Sequence, residues 1–506
     1  MEDCSEVVSA VDAVANFAQR PVVELSTTNR SHSRHRREGF ERVVSNSVVM
    51  SISNGELKHG VSCKRGLRER ADTDLDMGHT GPAIKKFPDP VQTLANVHQG
   101  LGQHGGVNVA IEASSTFAIV EPQTLNKLFS GELGTDHGLY LYSRHFNPTV
   151  LSLGRKMAAL EDTEAAYCTA SGMSAIAAVM LQLCSSGDHI VASNRLYGGT
   201  HALLAHFLPR TCNIKTTFVD VDDLDAVHAA VQPNSKVLYF ESLSNPRLYV
   251  ANIPALAHLA HSRGLTAVVD NTFAPLLLSP ARLGADVVVH SLSKYISGAG
   301  DIIAGAVCGP AELISAMMDL HHGALMLLGP TMDPHVAFQV GLRIPHLSIR
   351  MKEFGIRALL YAKRLKKLGL KAIYPGLQDH PHHALMTKLL NDGYGYGGMM
   401  CLDLDTKERA QDFMRYLQNV AHFGWMAVSL GYHDTLMSCS GSSTSSGLTS
   451  EEKAVSGISP GLVRMSIGFT GSTEQRWKQL LDALIALKLL FMELVFDILS
   501  CSCKPK

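Results

Sequence analysis

Between residues 165 and 290 the sequence sets down six short apolar runs, at 165–169, 190–192, 214–219, 236–241, 265–270 and 286–290, separated by windows of helical periodicity. Strand-like runs alternating with helical windows predict a mostly parallel sheet with right-handed crossovers and helices packed over it. The run Val287-Val288-Val289 fits this. Three β-branched residues in succession suit a strand buried on both faces, as the strands of parallel sheets are. The expected fold class is therefore α/β, and sheets of this kind gather their ligands at the carboxyl ends of the strands.

Lys294 lies just past such a strand end, in Ser291-Leu292-Ser293-Lys294-Tyr295. A lysine in a dry pocket loses its charge readily and can form a Schiff base with a carbonyl. Ser291 and Ser293, three and one residues earlier, offer hydroxyls to a phosphate. The preceding run closes in Asp270-Asn271-Thr272, which sets a carboxylate at the end of a neighbouring strand. Its role there is either to pair with a protonated ring nitrogen or to cap the following turn. Aldehyde, phosphate and ring nitrogen together describe pyridoxal 5′-phosphate. A third element is compatible: the run 165–169 leads through Ala170-Ser171-Gly172-Met173-Ser174 into a helical window at 175–183, so Gly172 and Met173 stand where a helix amino terminus exposes N–H groups to an anion, or where small residues merely permit close packing.

Length and charge bound what surrounds this site. A chain of 506 residues, 46% hydrophobic, buries a large core and divides into two or more domains. With 45 basic against 46 acidic residues, neither a nucleic acid nor an anionic membrane is the expected partner. Ten scattered cysteines fit a reducing compartment better than a disulfide framework, and none has zinc-site spacing. The start carries Glu2, Asp3 and Glu6 rather than a basic segment before an apolar core, so no secretory signal is expected and a cytoplasmic location is. The arginines between 30 and 42 leave organellar import as the minority reading. Residues 480–499 are strongly apolar, but Asp482, Lys488, Glu493 and Asp497 make a membrane span costly, and a packing helix is expected instead.

The motifs Asp270-Asn271-Thr272-Phe273, His290-Ser291-Leu292-Ser293-Lys294-Tyr295 and Tyr142-Ser143-Arg144-His145-Phe146-Asn147-Pro148-Thr149 occur in that combination in a known family. Over about residues 98–480 the chain resembles the transsulfuration family of pyridoxal phosphate enzymes, which includes cystathionine lyases, cystathionine γ-synthase and methionine γ-lyase; within it the plant type of methionine γ-lyase is the nearest. The resemblance implies pyridoxal phosphate fold type I, like the aspartate aminotransferases, with a large domain and a smaller carboxyl-terminal α/β domain. It implies a carbon–sulfur lyase acting on a sulfur amino acid, most specifically γ-elimination of L-methionine to methanethiol, ammonia and 2-oxobutyrate. Cystathionine γ-lyase or γ-synthase activity is the near alternative, and a non-catalytic cofactor-binding or regulatory subunit is the alternative of another class.

The same resemblance assigns roles. Lys294 becomes the covalent anchor and base, and Asp270 the partner of the ring nitrogen. Tyr197 stacks on the ring and helps the γ-substituent leave, with a core tyrosine as its bland reading. Tyr142 and Arg144 bind the cofactor phosphate of an adjacent protomer, which implies a homotetramer built from dimers with shared active sites. A tethering arginine making surface ion pairs is the alternative for Arg144. Asn245, Ser429 and Arg464 match substrate-binding segments, and Arg464 has the planar fork that clamps a carboxylate. A turn residue is the alternative for Asn245. Gly199 replaces a cysteine of bacterial relatives, and the Ser/Gly-rich stretch 438–450 replaces their His-Pro-Ala stretch. The expected division is a disordered extension at 1–90, an arm contacting a neighbouring subunit at 91–150, a cofactor-binding domain at 151–345, a carboxyl-terminal domain at 346–487 and an unmatched apolar tail at 488–506.

Overall fold

A computed structural model of the chain describes residues 89–97, 105–439 and 459–490. Residues 1–88 of the extension expected to be disordered and most of the apolar tail thus fall outside the described residues, as does 440–458, while Asp89 and Pro90, placed in that extension, cap and open the helix Pro90–Ala95. Seven strands form the larger sheet: β1 Ala165–Thr169, β2 His189–Ser193, β3 Lys215–Val219, β4 Ser235–Glu241, β5 Thr266–Asp270, β6 Val287–Ser291 and β7 Gly305–Gly309. Their order is β1-β7-β6-β5-β4-β2-β3. From β3 through β6 every neighbouring pair is parallel, while β7 runs antiparallel to both β6 and β1. Six strands match the runs read from the sequence within a residue or so. The small, apolar run 301–309 also reads as a strand in the sequence, and its strand, β7, begins only at Gly305.

Both faces of this sheet are covered, which is why its strands read as unbroken apolar runs. Val288 and Val269 face a core built with Leu153 and Met157 of the helix Pro148–Glu161 and Leu256 and Ala260 of the helix Ile253–Ser262. Val287, Val289 and Val268 face the other way, onto Ile176 and Val179 of the helix Gly172–Leu183. The alternation is the pleat of β6 read residue by residue.

The second sheet comprises β8 Lys371–Ile373, β9 Met399–Asp403, β10 Gly424–Met426, β11 Thr435–Cys439 and β12 Leu462–Ser466, in the order β10-β11-β12-β9-β8. Only β10 and β11 are parallel. β11 takes up Ser438 and Cys439, so the Ser/Gly-rich stretch opens as a strand and not as a loop. The 21-residue helix Leu347–Lys367 serves both cores: Leu347, Met351 and Phe354 pack with the first, Ala358, Tyr361 and Leu365 with the second. It holds the two sheets to one another along its length.

Residues 105–147 run largely without strands but are not wholly extended, since Pro122–Phe129 is helical with no residue buried. Val107 is 82% and Val120 89% exposed, and Leu125 and Phe129 are exposed as well. Among the described residues no helix is long and apolar enough to cross a membrane.

Candidate active site

The carboxyl ends of β1, β4, β5 and β6 converge, and each delivers one part of the expected site. After β1, Ser171 caps the helix Gly172–Leu183: its hydroxyl accepts from the Ser174 N–H at 3.1 Å, and the Ser174 hydroxyl accepts from the Ser171 N–H at 3.1 Å. This reciprocal cap fixes the first turn, where Gly172 and Met173 lie. Gly172 is required by proximity. A Cβ there would fall 2.7 Å from the Cβ of Ser291, so only glycine lets the helix start press against the end of β6. The Ser291 N–H in turn donates to the Thr272 hydroxyl at 2.8 Å, joining β6 to the end of β5.

Asp270 ends β5. One carboxylate oxygen accepts from the Thr272 N–H at 2.9 Å, and the other lies 3.4 Å from the Tyr239 hydroxyl. Burial raises its pKa, while the Thr272 hydroxyl and N–H and the nearby His290 work to lower it. Its neighbour in register is Glu241, the last residue of β4. Burial first and the Asp270 charge second push the Glu241 carboxyl up to about 8. Asp270 accepts from Thr272 and has His290 nearby, contacts that favour its ionised form, the form a partner for a cationic ring nitrogen needs.

Lys294 Nζ donates to the Ser429 hydroxyl at 2.8 Å. Burial, and then the positive charge of Arg464, hold its pKa below the ordinary lysine value, which favours the neutral, nucleophilic amine. Arg464 lies on β12, 3% exposed, with one amino group donating to Asn245 Oδ1 at 3.1 Å and the other to the Ser429 carbonyl at 3.0 Å. The structure therefore brings Lys294, Ser429, Arg464 and Asn245 into one hydrogen-bonded chain.

Tyr197 begins the helix Gly198–Ala202 and is 45% exposed. A Cβ at Gly199 would lie 2.6 Å from its ring and 3.3 Å from Met173 Sδ, so the glycine accommodates the tyrosine's present position beside Met173. The Ser293 hydroxyl is engaged by its own chain, accepting from the Ala304 N–H at 3.0 Å and lying 3.3 Å from the Ala304 carbonyl. The contacts of Tyr142 and Arg144 are elsewhere: Arg144 donates to the Met326 carbonyl at 3.1 Å and sits 5.6 Å from the Tyr142 ring, which is itself 43% exposed.

Sequence reasoning passed over Glu241, Tyr239 and Thr272 as site residues. Glu241 had one signal, an acid closing an otherwise apolar buried strand. The fit to pyridoxal phosphate is direct: a buried lysine whose pKa is lowered, a strand-end carboxylate held by Thr272 and a helix start held against the lysine's own strand by Gly172.

The comparisons agree with that geometry. Residues 92–478 match the model of a family described as Cys/Met metabolism PLP-dependent enzyme. The chain is 60% identical over 417 residues to the methionine gamma-lyase of Arabidopsis thaliana, covering 82% of this chain and 95% of that protein. Among solved structures, the cystathionine gamma-lyase of Lactobacillus plantarum complexed with L-serine aligns with a TM-score of 0.70 at 28% identity, covering 79% of this chain and all of that one. A putative O-acetylhomoserine (thiol)-lyase of Campylobacter jejuni, whose structure carries a pyridoxyl-lysine monophosphate, aligns with a TM-score of 0.71 at 28% identity and the same coverage. With its strand-end lysine and aspartate in the places such a cofactor needs, the chain belongs to the family of pyridoxal-phosphate-dependent enzymes of cysteine and methionine metabolism.

Proposed function

We propose that this protein is a pyridoxal-phosphate-dependent lyase that cleaves L-methionine by γ-elimination to methanethiol, ammonia and 2-oxobutyrate. The observation that carries this reading is the 60% identity to the Arabidopsis methionine gamma-lyase, extending over 95% of that protein. When bound, the cofactor supplies an aldehyde to receive the substrate amino group and a cationic ring that withdraws electrons from the carbons next to it.

The chain's own residues do the rest. The N–H groups at Gly172 and Met173, with Ser291 and Ser293 nearby, would hold the phosphate, and Asp270 would accept from the ring nitrogen. Tyr197 would lie against the ring. Arg464 clamps the substrate carboxylate with two parallel hydrogen bonds, helped by Asn245 and Ser429. That fixes the α-hydrogen toward Lys294, whose amine removes it; the lowered pKa favours the unprotonated amine. Tyr197 delivers a proton to the departing sulfur. Water completes the reaction by releasing ammonia and the oxo acid.

We extend the proposal to assembly: residues 91–150 act as an arm that brings Tyr142 and Arg144 to a neighbouring protomer's phosphate, in a homotetramer of dimers located in the cytoplasm. The exposed apolar residues of this segment support it, because a neighbour would bury them. Residues 151–345 then form the cofactor-binding domain and 346–487 the carboxyl-terminal domain. Cleavage of cystathionine is the second reading, favoured by the likeness to the Lactobacillus enzyme. A side-by-side product assay on methionine, cystathionine, cysteine and O-phosphohomoserine separates them. The highest kcat/KM should fall on methionine, with methanethiol and 2-oxobutyrate formed in equal amounts; a higher value for cystathionine would replace the first reading by the second. Lys294→Ala should abolish turnover and the visible band of protein-attached cofactor together.

A further inference from the structure

Glu241 is 8% exposed and closes β4 with its side chain inside the site. One carboxyl oxygen accepts from the Tyr197 N–H at 2.5 Å, across 44 residues of sequence. The Asn245 N–H donates to the same carboxyl group. In register on β5 stands Asp270. A single side chain thus touches the loop that carries the ring-facing tyrosine and the loop that carries the partner of Arg464, beside the residue that meets the ring nitrogen.

We propose that Glu241 is a positioning residue for this site: its carboxyl group ties the Tyr197 loop and the Asn245 loop to the strand end bearing Asp270, and so sets the orientation of the cofactor ring relative to the substrate clamp. The proposal rests on the reading of the site as a pyridoxal phosphate centre but not on which substrate is cleaved.

The chemistry explains why an acid serves here. The groups facing Glu241 are the backbone N–H groups of Tyr197 and Asn245, the Asp270 carboxylate on β5, and the Tyr239 hydroxyl on its own strand, itself pushed well above the usual tyrosine range by burial. Burial and the neighbouring Asp270 raise the Glu241 pKa to about 8, which favours its protonated form. As an uncharged acid it still offers a carbonyl oxygen as an acceptor. It adds no second negative charge beside Asp270, so the pairing of Asp270 with the ring is left undivided. Glutamine has the same shape and the same neutral acceptor, whereas alanine removes the acceptor and leaves two buried N–H groups without a partner.

The test compares the holoenzymes of Glu241→Gln and Glu241→Ala with the unaltered protein. Visible-region circular dichroism of the bound cofactor reports ring orientation and is independent of substrate. Glu241→Ala should lose at least half of that signal at full cofactor occupancy, and its kcat for the best substrate should fall tenfold or more while KM changes less than threefold, because Arg464 keeps its bond to the Ser429 carbonyl. Glu241→Gln should keep the dichroism and stay within about threefold in kcat. An alanine variant with unchanged dichroism and kcat would overturn the proposal, as would a glutamine variant as impaired as the alanine one. If the alanine variant does not fold, the glutamine variant alone decides, by retaining or losing the dichroism. Failure of methionine cleavage in the unaltered protein would count against the proposed substrate and leave these spectra as they are.

Discussion

Lys294 Nζ donates to the Ser429 hydroxyl at 2.8 Å while the Ser429 carbonyl accepts from Arg464 at 3.0 Å, so one residue links the proposed base to the proposed carboxylate clamp. Ser429 does this with φ +95°, a conformation that strains a residue bearing a Cβ by about 1–3 kcal/mol. Two substitutions separate hydroxyl from backbone. Ser429→Ala removes one hydrogen bond worth about 0.5–1.5 kcal/mol and keeps the carbonyl in place, so kcat should fall about two- to tenfold with little change in KM. Ser429→Gly also relaxes the backbone and frees the carbonyl, so KM should rise in addition. Steady-state kinetics on both variants is the check, and identical kinetic constants for the two would show that the backbone conformation contributes nothing.

Gly172 is a second position where geometry dictates the outcome. A Cβ on Gly172 would stand 2.7 Å from the Cβ and 2.9 Å from the Cα of Ser291, neither of which can move without shifting β6. Gly172→Ala should destabilise the protein by about 1–3 kcal/mol through overpacking. It should also weaken cofactor binding, because the helix start is pushed off the strand end. Thermal unfolding and cofactor titration measure the two effects; an alanine variant that matches the parent in both would mean that the helix and strand separate freely.

How much of this was legible in the sequence differs between the two sheets. The valine run of β6 announced itself because burial on both faces leaves no polar residue to blur the pattern. The second sheet is harder to read. β8 and β10 are three residues each, too short for any periodicity, and β11 ends inside a stretch whose serines and glycines suggest a loop. Arg464 was read for its chemistry, yet its strand, β12, was not. β7 starts late because residues just before it are held by side chains: Asp301 pairs with Arg343, and Ala304 with the Ser293 hydroxyl. The pairing of Glu241 with Asp270 depends on strand register, and the Lys294–Ser429 contact spans 135 residues. Neither leaves a local trace, because each is created by tertiary packing and not by the chain nearby.

Arg464 makes a sharper prediction than its charge alone. Its two amino groups already hold Asn245 and Ser429, so its guanidinium plane is fixed before substrate arrives. Arg464→Lys keeps the charge but loses the planar fork, and should raise KM for the substrate about tenfold, close to the effect of Arg464→Ala, since a charge-assisted contact of this kind is worth about 1.5–3 kcal/mol. Lysine restoring the parent KM would assign carboxylate recognition to charge alone.

The arm yields the prediction that reaches beyond one chain. Arg144 contacts the Met326 carbonyl and the Tyr142 ring, and that ring stands 43% exposed. If the pair serves a neighbour's phosphate, every active site is made from two chains. Two variants, Arg144→Ala and Lys294→Ala, should each be nearly inactive alone. Dissociated together and reassembled, they form hybrid dimers in which one site collects both lesions while the other receives intact Arg144 from one chain and intact Lys294 from its partner. That second site is whole. Activity should return toward one quarter of the unaltered enzyme, since about half of the dimers in an equal mixture are hybrids and each hybrid has one working site of two. Were Arg144 to serve its own chain, each site in every hybrid would keep one lesion, and the mixture would show no more activity than the two variants measured separately.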